Sequence, residues 1–503
     1  MNDAPNERHM GLGELTDLIG PERVTGLPVG DVRALAYDSR NVQAGTLFFA
    51  IPGMHVDGHE FAASAAAAGA LAVVVERELP DLGVPQLIVD HGRRALADAA
   101  DAWFGRPSQQ LEVIGITGTD GKTTTGFLAT AMLLAAGRRP GLVGTVALRI
   151  GDVEHPNQDR NTTPESLELQ ELLARMVAAG NDSVVMEATS HGLALERVRN
   201  CRFDAAIVTT VTSEHLDFHG TLEAYRDAKA KLVSQAPLSV LNADDGAYPY
   251  FRDRARDRVV TYAIDAPADV HASGLDAGPR GTRFEVHGPR WSGSVALQLP
   301  GRFNVHNALA VLALAEGLGL DPASAADALG AVPGVPGRME RVDEGQPFGV
   351  VVDYAHTVDS LIKVLDILRP LTAGRLIVVF GSAGERDPSK RPAMGEVAGR
   401  LADISVVTDE DPRLEDGQAI NQEIAEGARA AGARDGESLF VIDDRREAIA
   451  HAIGLARAGD MILLAGKGHE QSIIYGTERR WWDERVVARQ ALNAAGFGGA
   501  ADA

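Results

Sequence analysis

Val113-Ile114-Gly115-Ile116-Thr117-Gly118-Thr119-Asp120-Gly121-Lys122-Thr123-Thr124-Thr125 runs from an apolar strand into glycines and small hydroxyl residues, and then opens an Ala/Leu-rich helix to about Ala136. Such an order builds a phosphate cradle. Glycines let backbone N–H groups approach phosphate oxygens and the helix N-terminus adds partial positive charge. Lys122 brings a full charge, and Thr123 or Thr124 offers a hydroxyl to Mg²⁺. Gly118, Thr119, Asp120 and Gly121 form the turn itself. The spacing departs from the common phosphate loop, because Ile116 stands six before Lys122 and the first glycine is one residue earlier. An ordinary strand-to-helix turn also carries glycines; the strand, the Lys-Thr pair and the helix in this order mark a nucleotide site.

Around this loop, 503 residues suffice for about three domains. A hydrophobic share of 45% with 23% charged residues is that of a globular chain. The net charge of −22 argues against a nucleic-acid or anionic-membrane surface, so an anionic substrate needs local positive pockets. Cys201 is the only cysteine, which excludes an internal disulfide and a cysteine-built metal site and fits a reducing cytoplasm. Met1 to Met10 lacks a signal-peptide core, no apolar run approaches a membrane span, and the small-residue tail from Gly496 to Ala503 reads as frayed.

Residues 1–109 read as a small α/β unit. Leu35–Arg40 and Thr46–Ile51 are its first strands, joined near Gln43-Ala44-Gly45; a helix from Phe61 to Ala68 and a strand from Leu71 to Val75 follow. From 110 to 337 strands alternate with helices, the rhythm of a parallel sheet covered on both faces. Val184-Val185-Met186 ends in Glu187, and Ala205–Val211 ends in Thr212-Ser213-Glu214-His215-Leu216-Asp217. Ligands of such sheets gather beyond the carboxyl ends of the strands, so Lys122, Glu187 and His215 should converge. Taken singly, each reads as a capped surface residue. A helical segment then holds Tyr225, Lys229 and Lys231; a β-rich stretch runs from Val259 to Leu299, and Asn304-Val305-His306-Asn307 opens another helix.

Pro333-Gly334-Val335-Pro336-Gly337-Arg338 reads as a hinge. In the third α/β unit, 338–503, four apolar strands end in polar clusters: Tyr354-Ala355-His356 after Asp353, Gly381–Asp387, Thr408–Arg413 and Gly466–Glu470. If the strands are parallel, all four clusters share one edge of the sheet.

The order of these motifs resembles the Mur ligases, ATP-dependent amide-forming enzymes of cell-wall synthesis. The resemblance rests on Thr117–Thr123, Glu187, His215-Leu216-Asp217, Asn304–Asn307, Gly337–Glu340 and Asp353–His356. Tyr37-Asp38-Ser39-Arg40, Asn161–Pro164, Glu187–Leu193, Asp387–Pro392 and Gly466–Glu470 are similar to the branch that adds the third amino acid to UDP-N-acetylmuramoyl-L-alanyl-D-glutamate. It implies a small N-terminal α/β domain binding the UDP substrate, a central P-loop-type parallel-sheet ATPase domain and a C-terminal Rossmann-like domain binding the amino acid. It also implies ATP as co-substrate and an acyl-phosphate route to the amide. Thr123 and Glu187 would hold one Mg²⁺ and His215 a second, with Lys229 carbamylated by CO₂ into a metal-ligating anion; Lys122, Glu187, His215 and Lys229 are the catalytic set. Asn304, His306, Asn307, Arg338, Asp353 and His356 fall where the family holds ATP or closes the hinge over it. Ser39, Thr162, Thr163, Thr189, Ser190 and Arg197 match UDP-substrate positions, with Leu195 where many relatives carry a glutamine.

By the same resemblance Arg386, Glu410, Asp411, Pro412, Arg413, Gly466 and Glu470 line the amino-acid pocket. Arg413 would grip a carboxylate bidentately, which favours meso-diaminopimelate. Relatives that add it read Asp-Asn where this chain has Glu410-Asp411, and the extra charge would suit lysine or ornithine. The other readings are a sister Mur or folylpolyglutamate-type ligase and a degenerate nucleotide-binding protein. A cytoplasmic monomer acting on small molecules, without nucleic acid or membrane, is expected.

Overall fold

The computed structural model describes residues 8–53, 56–157, 161–212, 214–278 and 281–498. Ser213 and parts of both terminal segments lie outside them. The chain divides into two compact units. One runs up to Ala272 and takes in Val286–Gly293 and His306–Ala328; the other holds Ser273–Glu285, Ser294–Val305 and the chain from Leu329 onward.

The first unit begins with a sheet in the order Arg23–Thr25, Gln86–Ile88, Ala70–Val75, Thr46–Phe49, Ala34–Ala36. Its central strands are buried on both faces, by Leu47, Phe49, Ala72 and Val74 on one side and Phe48, Val73 and Val75 on the other. Such two-sided burial explains the continuous apolar runs. The strand expected over Leu35–Arg40 ends at Ala36, because the Asp38 carboxylate accepts the N–H of Arg40 at 3.0 Å and starts a 3₁₀ turn, Ser39–Asn41.

The same unit carries a larger sheet whose parallel strands stand in the order Pro140–Val143, Ser183–Glu187, Glu112–Thr117, Ala205–Val208, Leu238–Asn242, Arg258–Ala263. Glu112–Thr117 lies between strands that follow it in opposite directions across the sheet, so the strand order reverses there. This reversal leaves a crevice outside the carboxyl ends of Glu112–Thr117, Ser183–Glu187 and Ala205–Val208. The third strand stops at Val208 rather than Val211, because the Thr209 hydroxyl donates to the carbonyls of Thr117 and Asp120 at 3.2 and 2.6 Å and turns the chain toward the loop.

In the second unit the strands Gly349–Asp353, Met461–Ala465, Leu376–Phe380, Ile404–Val407 and Leu439–Val441 are parallel neighbours in that order, with Glu340–Arg341 antiparallel at the edge. All four polar clusters therefore leave the sheet from the same edge. The sheet is packed on one face by Leu361, Leu365, Met394 and Ile424, and on the other by Ile449, Ile453, Val487 and Leu492. Among the described residues, no helix is long and apolar enough to cross a membrane.

Candidate active site

The glycine-rich loop is fixed by close approach. A Cβ on Gly118 would stand 1.9 Å from the Thr209 hydroxyl, and one on Gly121, at φ +87°, 2.5 Å from the Asn307 amide oxygen. Only glycine lets the loop lie flat against both neighbours. Thr119 ties the loop sideways, accepting the N–H of Thr212 at 3.0 Å and meeting the Tyr225 hydroxyl at 2.9 Å. The helix Lys122–Ala135 starts at once, its first N–H groups facing the crevice end of the sheet. Lys122 Nζ arches back to the carbonyls of Gly118 and Thr119, at 3.0 and 2.8 Å.

Of the two hydroxyls offered by Thr123 and Thr124, that of Thr123 reaches Glu187, at 3.1 Å. Glu187 is 1% exposed, and it also accepts the N–H and the hydroxyl of Thr145, both at 2.9 Å. Among the described residues this buried carboxylate has neutral donors and no ion-pair partner. A hydroxyl and an uncompensated carboxylate beside a phosphate loop are the hard oxygen donors that Mg²⁺ takes, so these residues fit the metal. Among the described residues, no three His, Cys, Asp or Glu side chains gather as a metal cluster.

Four of the UDP-substrate candidates join the same network. The hydroxyl of Thr162 meets that of Thr145 at 2.9 Å; Thr163 donates to the Glu187 carbonyl at 2.8 Å and meets Thr189 at 3.0 Å. Arg197 donates to the Thr163 carbonyl at 3.0 Å and pairs with Glu165 at 2.7 Å. Ser190 is buried at the start of the helix Ser190–Ala194, which the Thr189 hydroxyl caps. Ser39 opens the 3₁₀ turn Ser39–Asn41 of the N-terminal sheet. His215, at φ +54°, keeps its ring 4.7 Å from His191, with Nε2 3.7 Å from Glu214.

Lys229 is 1% exposed, donates to the Gly118 carbonyl at 2.7 Å and lies over the Tyr225 ring. Burial, reinforced by the nearby charge of Lys122, holds its amine well below the usual lysine range. Lys231 is half exposed, bonded to the Leu193 carbonyl and to Glu196. His306 is oriented by Asp244 at 2.9 Å, and Asn307 accepts from the Thr125 hydroxyl at 3.3 Å.

In the second unit, Asn304 donates to the Pro300 carbonyl at 2.8 Å. Asp353 accepts the N–H groups of Met339 and Ala355, at 2.8 and 2.9 Å, so it anchors the segment beside Arg338; burial holds its carboxyl above the usual range. Arg338 lies over the Tyr354 ring at 5.0 Å, and His356 bonds the Tyr354 carbonyl at 2.8 Å. Glu410, Asp411 and Pro412 are buried, while Arg386 is exposed on the neighbouring loop, which is tied to theirs by the Gly384 N–H on the Asp411 carbonyl at 2.8 Å. Arg413 adopts φ +58°, and its Nε is buried without a hydrogen-bond partner among the described residues. Asp411 accepts Lys467 Nζ at 2.9 Å and the Ile474 N–H at 3.0 Å; Lys467 also reaches Glu470 at 2.5 Å, which takes the Tyr354 hydroxyl at 3.1 Å. A Cβ on Gly466 would stand 3.2 Å from Glu410 Oε2, which has no hydrogen-bond partner among the described residues.

Thr145, Asp244 and the Asp411–Lys467 pair were not singled out by reading the sequence. Thr145 and Asp244 each follow a strand end, the same signal that marked Glu187. Asp411 and Lys467 are 56 residues apart, and no local pattern joins them.

Family models match three parts of the chain: the Mur ligase family catalytic domain over 31–104, the Mur ligase middle domain over 116–315 and the Mur ligase glutamate ligase domain over 337–468. The chain is thus a three-domain α/β protein. It is 49% identical over 490 residues to a Roseiflexus sp. protein named UDP-N-acetylmuramyl-tripeptide synthetase, covering 93% of this chain and 96% of that one. It is 44% identical over 477 residues to a Geobacillus kaustophilus protein named UDP-N-acetylmuramoyl-L-alanyl-D-glutamate--2,6-diaminopimelate ligase, covering 93% and 96%. A solved structure of a ligase of that name superposes with TM-score 0.68 at 32% identity, over 97% of this chain and 99% of the other.

Proposed function

This chain belongs to the Mur ligase family, and from that premise we propose that it is an ATP-dependent ligase joining the D-glutamate γ-carboxylate of UDP-N-acetylmuramoyl-L-alanyl-D-glutamate to an amine of meso-2,6-diaminopimelate in peptidoglycan synthesis. The observation that carries it is the network around Glu187, whose carboxylate takes the loop hydroxyl of Thr123 and, through Thr145, is linked to Thr162, while its backbone carbonyl takes Thr163, which is bonded in turn to Thr189 and Arg197. A phosphate site and a substrate-carboxylate site side by side suit phosphoryl transfer from ATP to a carboxylate. The γ-phosphoryl group passes to the carboxylate oxygen; the amine then attacks the carbonyl carbon, phosphate leaves and the amine loses its proton.

Both reactants are anions, and the chain's part is to hold them together. The helix N-terminus and Lys122 take the phosphates, while Arg197 and the threonine hydroxyls orient the UDP substrate. Asn304, His306, Asn307, Arg338, Asp353 and His356 make up the nucleotide set in this reading. Mg²⁺ held by Thr123 and Glu187, with a second ion at His215, would neutralise charge as the phosphoryl group moves. Lys229 favours its neutral amine, the form that adds CO₂, which supports carbamylation. Residues 1–109, 110–337 and 338–503 are the substrate, ATP and amino-acid domains of this reading. The enzyme is read as a cytoplasmic monomer.

Two features support diaminopimelate over lysine. The Asp411 carboxylate is paired with Lys467, and Arg413 keeps a buried Nε in the same loop with no hydrogen-bond partner among the described residues. A second carboxylate on the incoming amino acid would satisfy that guanidinium; a plain ammonium would not.

The test is phosphate release by purified protein with ATP, Mg²⁺ and UDP-N-acetylmuramoyl-L-alanyl-D-glutamate, with meso-diaminopimelate, L-lysine or L-ornithine in separate tubes. Release with diaminopimelate alone is expected. Release with lysine or ornithine alone overturns the amino acid, and silence in every tube overturns the ligase step.

A further inference from the structure

One fully buried cation lies beneath the C-terminal loops and has no role in the reading above. Arg445 opens the helix Arg445–Leu455 just beyond the strand Leu439–Val441, and its side chain turns inward, 1% exposed. Nε donates to both oxygens of Glu484 at 3.1 and 3.0 Å, and Nη2 donates to Glu484 at 2.6 Å. Glu484 is equally buried and opens the helix Glu484–Ala494, where the Trp482 indole N–H donates to it at 2.6 Å. The rest of the fork leaves the ion pair. Nη1 donates to the carbonyl of Asp409 at 3.2 Å and Nη2 to that of Ala465 at 2.7 Å.

Those two carbonyls have particular places in the chain. Asp409 immediately precedes Glu410, and Ala465 immediately precedes Gly466. They are the roots of the two loops that face each other across the candidate amino-acid pocket, where Glu410 Oε2 comes within 3.2 Å of a Cβ on Gly466. A planar guanidinium presents its donors in a fixed fork, so it sets the distance between groups that it bonds together. A buried pair need not stabilise a fold more than apolar packing would, so stability alone is a weak reason for an Arg–Glu pair at this position.

We propose that Arg445 is a positioning residue for the incoming amino acid, its guanidinium fixing the spacing of the Glu410–Arg413 and Gly466–Glu470 loops through their root carbonyls, with Glu484 and Trp482 holding the guanidinium in place. The inference rests on assigning those loops to the amino acid. It holds for whichever amino acid the wild-type enzyme uses, so an error over diaminopimelate leaves it standing.

Arg445→Lys keeps the charge and removes the fork. Steady-state kinetics should show the KM of the amino acid raised by about tenfold or more, since misplacement by about 1 Å costs up to about a hundredfold. The KM values of ATP and of the UDP substrate should stay within about twofold, because those ligands bind other elements. Trp482→Phe loosens Glu484 without removing either ion, and should move the same KM in the same direction by less. A fall in melting temperature with every KM unchanged overturns the proposal, as does an equal rise in all three. If Arg445→Lys does not fold, Trp482→Phe decides between these outcomes alone.

Discussion

Lys229 and Lys467 are both buried lysines beside a candidate ligand site, at 1% and 0% exposure, and their surroundings are opposite. Lys229, in the central sheet domain, has the Gly118 carbonyl and an aromatic face as neighbours, with the charge of Lys122 close by. Its amine is driven toward the neutral form. Lys467, in the C-terminal domain, bonds two carboxylates, Asp411 and Glu470. Against the cost of its burial, these hold its ammonium above the usual range. The same side chain is thus driven toward its neutral form in one region and toward its charged form in the other. Burial alone does not tell a reactive lysine from a structural one; the partners do.

The sharpest way to break this comparison is to remove the amine that burial drives toward its neutral form. Lys229→Met is expected to lower phosphate release by about a hundredfold or more, the scale of losing one charge stabiliser in a water-poor site. The same variant should unfold no more easily than the wild type, since it deletes a buried amine that, among the described residues, makes no direct ion pair and feels Glu214 and Asp120 only as neighbouring charges. Stripping bicarbonate should slow the wild type and leave the variant unchanged. A Lys229→Met enzyme with near-normal turnover would end the idea that this lysine carries a carbamate.

Lys467→Met should do the reverse, and its first effect is on stability. Two carboxylates would lose their cation, one of them in a buried loop, at a cost of about 3 kcal/mol. The pH dependence follows from the raised pKa. The folded state holds this proton more tightly than the unfolded chain, so the contribution is complete below about pH 10.4 and fades as pH rises through the folded value. The melting-temperature gap between wild type and Lys467→Met should therefore be constant through neutral pH and narrow above about pH 10.4. A gap that closed near neutrality would mean the pair is not the source.

The same contrast separates what was legible in the sequence from what was not. Glu187 and the four C-terminal clusters were legible because a buried strand ending in polar residues is a local pattern, and parallel pairing then gathers the ends at one edge. Lys122 and Thr123 were legible from the loop itself. Electrostatic partners were not. Arg445 and Glu484 are 39 residues apart, each in a charged run that reads as a solvated helix start, and only the packing of the two helices buries them. Strand lengths failed for a related reason: side-chain oxygens of Asp38 and Thr209 bond the backbone and stop the strands that Leu35–Arg40 and Ala205–Val211 suggested.

The finest distinction concerns what orients Glu470. Its carboxylate takes Lys467 Nζ at 2.5 Å through one oxygen and the Tyr354 hydroxyl at 3.1 Å through the other. If the ammonium dominates, the hydroxyl only trims the orientation. Tyr354→Phe keeps the ring against Arg338 and His469 and deletes that one bond. With Glu470 partly exposed, the loss should be about 1 kcal/mol, a rise of about fivefold in the KM of the amino acid with ATP binding unmoved. Both groups act through one carboxylate, so Tyr354→Phe and Lys467→Met should be non-additive on that KM, differing from the sum by about 0.5 kcal/mol or more. Strict additivity would mean that the two bonds hold Glu470 independently, and that Lys467 belongs to the loop frame alone.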